Sequence, residues 1–168
     1  INVFAVGESH QEHFTTQAHT VVLGAIAQAT ENIKVSSASS IISAADPVRV
    51  FEDFATIDLI SNGRAELVAG RASRTGIFEL FGYDLNDYDD LYEEKLDLLL
   101  KLNENDRITW SGRFRPDLNN MKIFPRPVDD NLPIWRAVGG PPASAIKAGR
   151  LGVPMMITTL GGPAMNFK

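Results

Sequence analysis

The chain contains no cysteine. Disulfide staples, zinc–thiolate centres and thiol nucleophiles are therefore all excluded from its 168 residues. Basic residues are outnumbered, 16 Lys and Arg against 21 Asp and Glu, for a net charge of −5. That balance argues against a binder of phosphate backbones, which needs clustered cations, so no nucleic-acid partner is expected. No stretch of about 18 apolar residues occurs, so no membrane-spanning helix is expected. No basic segment leading into an apolar one opens the chain, and the expected location is cytoplasmic. What is present is ordinary globular composition, 44% apolar and 22% charged. The sequence opens at Ile1 inside an apolar run and closes at Lys168 on what reads as the start of a helix, so it is expected to be cut from something longer.

Apolar periodicity divides the chain into alternating strands and helices. Residues 2–6 read as a short strand, broken by Gly7-Glu8-Ser9-His10. Val21, Val22, Ala25, Ile26 and Ala29 recur at helical spacing, and 33–42 then alternates as one strand. Asp46-Pro47 is a helix start and Asn62-Gly63 a helix stop, enclosing Val50, Phe51, Phe54 and Ile57. Residues 65–69 form a third strand, and a helix is expected from Asp87 to Leu102 with an acidic first turn. Residues 103–132 are polar and proline-bearing, an insertion expected to hold a hairpin. Residues 134–138 and 155–158 complete the strands, with a helix opened by Gly139-Gly140-Pro141-Pro142 between them. The first three strands begin about 30 residues apart, which fits successive βα units and a parallel sheet. Two architectures remain open, a doubly wound sheet and a (β/α)8 barrel; a whole barrel takes about 250 residues, more than are present.

In either architecture ligands sit at the C-terminal ends of the strands. The residues there are Glu8-Ser9-His10, Ala38-Ser39-Ser40, Gly70-Arg71-Ala72-Ser73, Gly139-Gly140, and Thr158-Thr159 with Gly161-Gly162. Small residues admit a flat ligand close to the backbone, and an Arg at a strand end can hold a phosphate in a forked contact. A helix N-terminus after Gly140 favours the same anion. Plainer readings stand beside these. Arg71 could be an ion-pair partner for a helix carboxylate, the glycine pair a tight turn, and His10 and His13 surface or capping residues. A metal cluster of Glu8, His10 and His13 lacks a fourth ligand at matching spacing, so no metal is expected. Tyr83, Trp110 and Trp135 read as packing residues.

The blocks Asp46-Pro47-Val48-Arg49-Val50, Phe54 to Arg64 and Gly70-Arg71 resemble the bacterial luciferase-like flavin monooxygenase family. Phe81-Gly82-Tyr83-Asp84, the strand Pro133 to Gly140 and Gly7-Glu8-Ser9-His10 fit the same family in the same order. The resemblance implies an α/β fold, a (β/α)8 TIM barrel of the luciferase-like type, of which this chain would be one partial domain holding about strands two to six. It implies reduced FMN at the C-terminal mouth, with Arg71 on the phosphate and the Gly139 and Gly140 backbone nearby. Ala38 and Ser39 would lie beneath the ring, joined by a non-proline cis peptide, with Gly70 leaving room. Glu8 and His10 would be the catalytic side. The family's first His aligns with Ser9, which lacks basicity near neutral pH, so His10 is left as the acid/base candidate.

The function implied is a flavin-dependent oxidoreductase, an FMNH2- and O2-dependent monooxygenase acting on a small organic substrate. A separate flavin reductase could supply the reduced cofactor. The alternatives are a deazaflavin (F420)-dependent oxidoreductase and a non-catalytic flavin-binding relative. A homodimer through the helices near 17–30 and 47–61 is also implied, with Ala18, Gly24, Ala25 and Ala29 allowing close helix approach.

Overall fold

A computed structural model describes residues 1–139 and 142–158. Strands and helices alternate as β1 (Val3–Val6), α1 (His19–Ala29), β2 (Lys34–Ser37), β3 (Ser40–Ile41), α2 (Pro47–Ser61), β4 (Ala65–Gly70), α3 (Gly76–Leu80) and α4 (Tyr88–Glu104). There follow β5 (Arg107–Trp110), β6 (Leu118–Lys122), β7 (Ile134–Val138), α5 (Pro142–Leu151) and β8 (Met155–Ile157).

One curled sheet runs in the order β1-β2-β4-β7-β8, every neighbour parallel, with β3 extending the pairing along β4. That order decides between the two architectures. A doubly wound sheet reverses its strand order at a switch point. Here each new strand is added on the same side as the last, which builds the wall of a (β/α)8 barrel, and the described residues form about half of one. β5 and β6 lie outside this sheet as an antiparallel pair, Arg107 opposite Lys122.

Local chemistry explains the best-defined helix. Asp46 accepts the Val48 N–H at 2.8 Å, Pro47 occupies the first turn, and Asn62 closes the helix at φ 57°. Phe51 and Phe54 are fully buried against the sheet, and so are Leu23 of α1 and Leu96 and Leu99 of α4. Asp58 is buried but satisfied, accepting the backbone N–H groups of Ala65 and Val128. Arg64 fans over the carbonyls of Ala27, Thr30, Ile33 and Ser61, so one guanidinium caps the ends of both α1 and α2. β4, with neighbours on both sides, is buried throughout, whereas Val3 and Phe4 of β1 remain exposed.

Two differences from the sequence expectation bear on the site. The stretch 33–42 is not one strand: it is split into β2 and β3 by the Ala38–Ser39 peptide bond, which is cis. The short helix α3 was not anticipated; it lies in a Gly-, Ser- and Thr-rich stretch too brief to show a period. It matters because Ile77 and Phe78 anchor a second, smaller core with Ile41, Ala72 and Leu91.

Candidate active site

The C-terminal ends of β2, β4 and β7 and the start of α5 surround a cleft of about 660 Å³. Ala38, Ser39 and Arg71 line it, together with Glu8, Gly139, Ser144 and Lys147. Of the residues expected at the site, Glu8, Ala38, Ser39, Arg71 and Gly139 are thus brought together. Gly70 lies directly beneath them, paired in register with Ile41. Gly140, the Thr159 position and Gly161-Gly162 lie outside the described residues. His13 is on the surface.

Two glycines make the floor possible. A Cβ on Gly7 would stand 2.8 Å from the Ala38 carbonyl oxygen, and one on Gly70 would stand 2.6 Å from Ser39 Cβ. Neither glycine has a positive φ, so the requirement is for space. The Ala38–Ser39 segment is seated between two strands that carry no side chain where it passes.

Charge in the cleft converges on Glu93 of α4. Its carboxylate accepts from Arg71 at 2.9 Å, from Arg136 at 2.6 and 2.9 Å, and from Lys147 at 3.0 Å. Burial alone would raise the Glu93 pKa, but hydrogen bonds and charge from Arg136 and Lys147 outweigh it and hold the carboxyl at about 2. Arg136 has no solvent exposure at all. It and Arg71 both lie over the ring of Tyr92, at 4.9 and 4.1 Å. Tyr92 donates to the Ala69 carbonyl at 3.0 Å, and burial pushes its pKa up to about 12. Arg71 also reaches Ser144 Oγ at 3.3 Å and pairs with Asp89. Arg71 is thus the ion-pair partner for α4 that the plainer reading expected, and it also lines the cleft.

A smaller cavity of about 290 Å³ adjoins the first, sharing Glu8, Ile41 and Ser73. His10, Ile77 and Arg74 complete much of its wall. Glu8 joins the two spaces. Its Oε1 lies 2.7 Å from His10 Nε2, and its Oε2 accepts the Ile41 N–H at 2.6 Å. His10 also meets the Phe81 ring edge-on at 5.2 Å. Sequence reasoning passed over His19, whose ring lies 3.7 Å from Glu8, and it also missed Glu93, Arg136 and Lys147. None carries a local signal, because each acquires its neighbours only when distant elements pack.

The residues present suit a flat, phosphate-bearing cofactor. The floor is kept flat by Gly7 and Gly70, and two cations with a hydroxyl, Arg71, Lys147 and Ser144, stand at one end beside a helix start.

Known proteins share this fold. The chain superposes on monooxygenase RslO1 from Streptomyces bottropensis with a TM-score of 0.88 at 21% identity, covering 96% of this chain and 50% of that one. The oxygenating constituent of 3,6-diketocamphane monooxygenase from Pseudomonas putida, solved in complex with FMN, gives 0.79 at 16% identity, covering 94% and 48%. In sequence, the chain is 26% identical over 141 residues to an F420-dependent glucose-6-phosphate dehydrogenase from Amycolatopsis mediterranei, covering 80% of this chain and 41% of that protein. The chain thus spans about half the length of the proteins it matches, or less. The family model for luciferase-like monooxygenase matches residues 1–166, and the chain belongs to that family.

Proposed function

We propose that this chain forms the cofactor-binding half of an FMN-dependent monooxygenase acting on a small organic substrate. The observation that carries this reading is the cleft itself, lined by Ala38 and Ser39 and by the cluster of Arg71, Ser144 and Lys147. Reduced FMN, when bound, supplies the electrons and activates dioxygen. Arg71 and Lys147 hold the phosphate, with Ser144 and the Gly139 backbone beside them. Ala38, Ser39 and Gly70 support the ring. His10, steadied by Glu8, takes or gives the proton on the side of the smaller cavity, whose apolar Ile41 and Ile77 suit a compact substrate. Oxygen-dependent substrate consumption by the intact protein, supplied with FMN and a separate flavin reductase, tests the reading; binding without turnover would mark a non-catalytic flavin carrier.

The likeness to an F420-dependent dehydrogenase supports a second reading, an oxidoreductase using F420. Turnover compared with the two reduced cofactors separates them. We further propose a homodimer through α1 and α2, which pack together and leave Val21, Leu59 and Ile60 exposed. Cytoplasmic action fits these cofactors, and among the described residues no helix is long and apolar enough to cross a membrane.

A further inference from the structure

Behind the Glu8–His10 pair lies a buried imidazole with no part in the reading above. His19 opens α1 and is 7% exposed. Its Nε2 stands 2.6 Å from Ser40 Oγ and its Nδ1 stands 3.7 Å from Glu8 Oε2. Phe54 packs beside it, ring centroids 6.3 Å apart. The titratable groups facing it are Glu8, Asp53 and His10. Burial, with a smaller contribution from His10, outweighs Glu8 and Asp53 and lowers its proton affinity, which favours the neutral ring at neutral pH.

A neutral imidazole has one N–H to place. On Nε2, that hydrogen would leave the Nδ1 lone pair facing the Glu8 carboxylate, a repulsive arrangement in a buried site. On Nδ1, the N–H dipole points at the carboxylate, and Nε2 accepts the Ser40 hydroxyl hydrogen. The second arrangement is the stable one. Glu8 Oε2 then accepts the Ile41 N–H and is attracted from a second direction by the dipole of the His19 ring at 3.7 Å. Oε1 is left to His10 Nε2 at 2.7 Å. A carboxylate only accepts, so His10 must carry its hydrogen on Nε2.

We propose that His19 is a positioning residue: with its Nδ1–H dipole directed at Glu8 from 3.7 Å, it steadies by electrostatic attraction the carboxylate that holds His10 as the Nε2–H tautomer, leaving His10 Nδ1 as the proton-accepting atom. The role rests on the reading of Glu8 and His10 as the reaction side. A merely structural His19 would tie α1 to β3 through Ser40 and leave the tautomer of His10 untouched.

The test is the two-bond ¹H–¹⁵N spectrum of the three histidines in the intact protein near pH 7. His19 is expected as the Nδ1–H tautomer and His10 as the Nε2–H tautomer. His19→Leu is expected to turn His10 into a mixture of tautomers, and His19→Asn, whose amide N–H replaces Nδ1–H, to restore one. If His19→Leu does not fold, Ser40→Ala substitutes for it, since it releases the ring and is expected to give the same mixture. An Nε2-protonated His19, or a His10 unchanged in His19→Leu or Ser40→Ala, overturns the positioning role. Turnover by His10→Asn is a separate readout. Normal turnover there would sink the assignment of His10 and leave the tautomer result standing.

Discussion

A methyl group at position 70 has nowhere to go. Gly70→Ala is expected to cost about 1–3 kcal/mol, the usual penalty for overpacking a tight site, read as a lower urea midpoint at unchanged slope. If Arg71 holds the phosphate as proposed, FMN titration of Arg71→Ala should show affinity reduced about 10- to 100-fold, the range for a lost charge-assisted hydrogen bond. If it binds FMN as tightly as the unsubstituted protein, the phosphate assignment fails. Arg71 was legible in sequence because it follows Gly70 at a strand end, where function and ion pairing are both plausible. The ion pairing is what the structure holds, to Glu93 and Asp89, and a guanidinium's five donors leave capacity for the proposed phosphate. His19 and Glu93 were not legible. One sits on an ordinary helix face and the other in an acidic helix start, and only packing of α1 on β3, and of α4 on β7, gives them partners.

Elements differ in how openly the sequence declares them. α2 is written in its ends, Asp46-Pro47 and Asn62-Gly63, because caps act through adjacent backbone. Asp46 also receives Arg115 at 3.1 Å, so Asp46→Ala should cost at least the ~1 kcal/mol typical of a lost N-cap, measured by thermal unfolding. The division of β2 from β3 is invisible in apolar alternation, because Ala38 and Ser39 are as small and polar as their strand neighbours. α4 carries a further device. Lys95 is buried, donating to the Ser43 carbonyl at 2.6 Å and lying 4.0 Å over the Tyr83 ring. Burial pushes its pKa from 10.5 down to about 8, against Asp46 and Glu94. Between those values the unfolded chain binds a proton that the folded chain does not. The contribution of Lys95 to stability should therefore rise as pH climbs from about 8 towards 10.5. Denaturant midpoints across that window should climb, and Lys95→Met should flatten the climb.

At the scale of the whole molecule, chain-ordered strands made barrel geometry decidable, where composition left it open. Among the described residues β1 pairs only with β2 and β8 only with β7, and Phe4 and Ile157 on these strands are exposed. Open apolar edges invite pairing with other chains. These 168 residues expressed alone should associate with rising concentration in light scattering, and Phe4→Lys should reduce that association. Val21→Glu should instead dissociate the proposed dimer of the intact protein. Acid should loosen the molecule through Glu93. Its folded pKa of about 2 lies below the ordinary 4.5, so its contribution is present above 4.5 and lost as pH falls towards 2. Glu93→Gln should remove that part of the acid transition. The same carboxylate binds cations that follow β4, lie on β7 and ride on α5, and it rides on α4 itself. Their side-chain freedom is therefore surrendered once, during folding, before any ligand arrives. In a calorimeter, phosphate-bearing ligands should bind with little ordering entropy to oppose them, and Glu93→Gln should expose that hidden cost as a less favourable entropy of association.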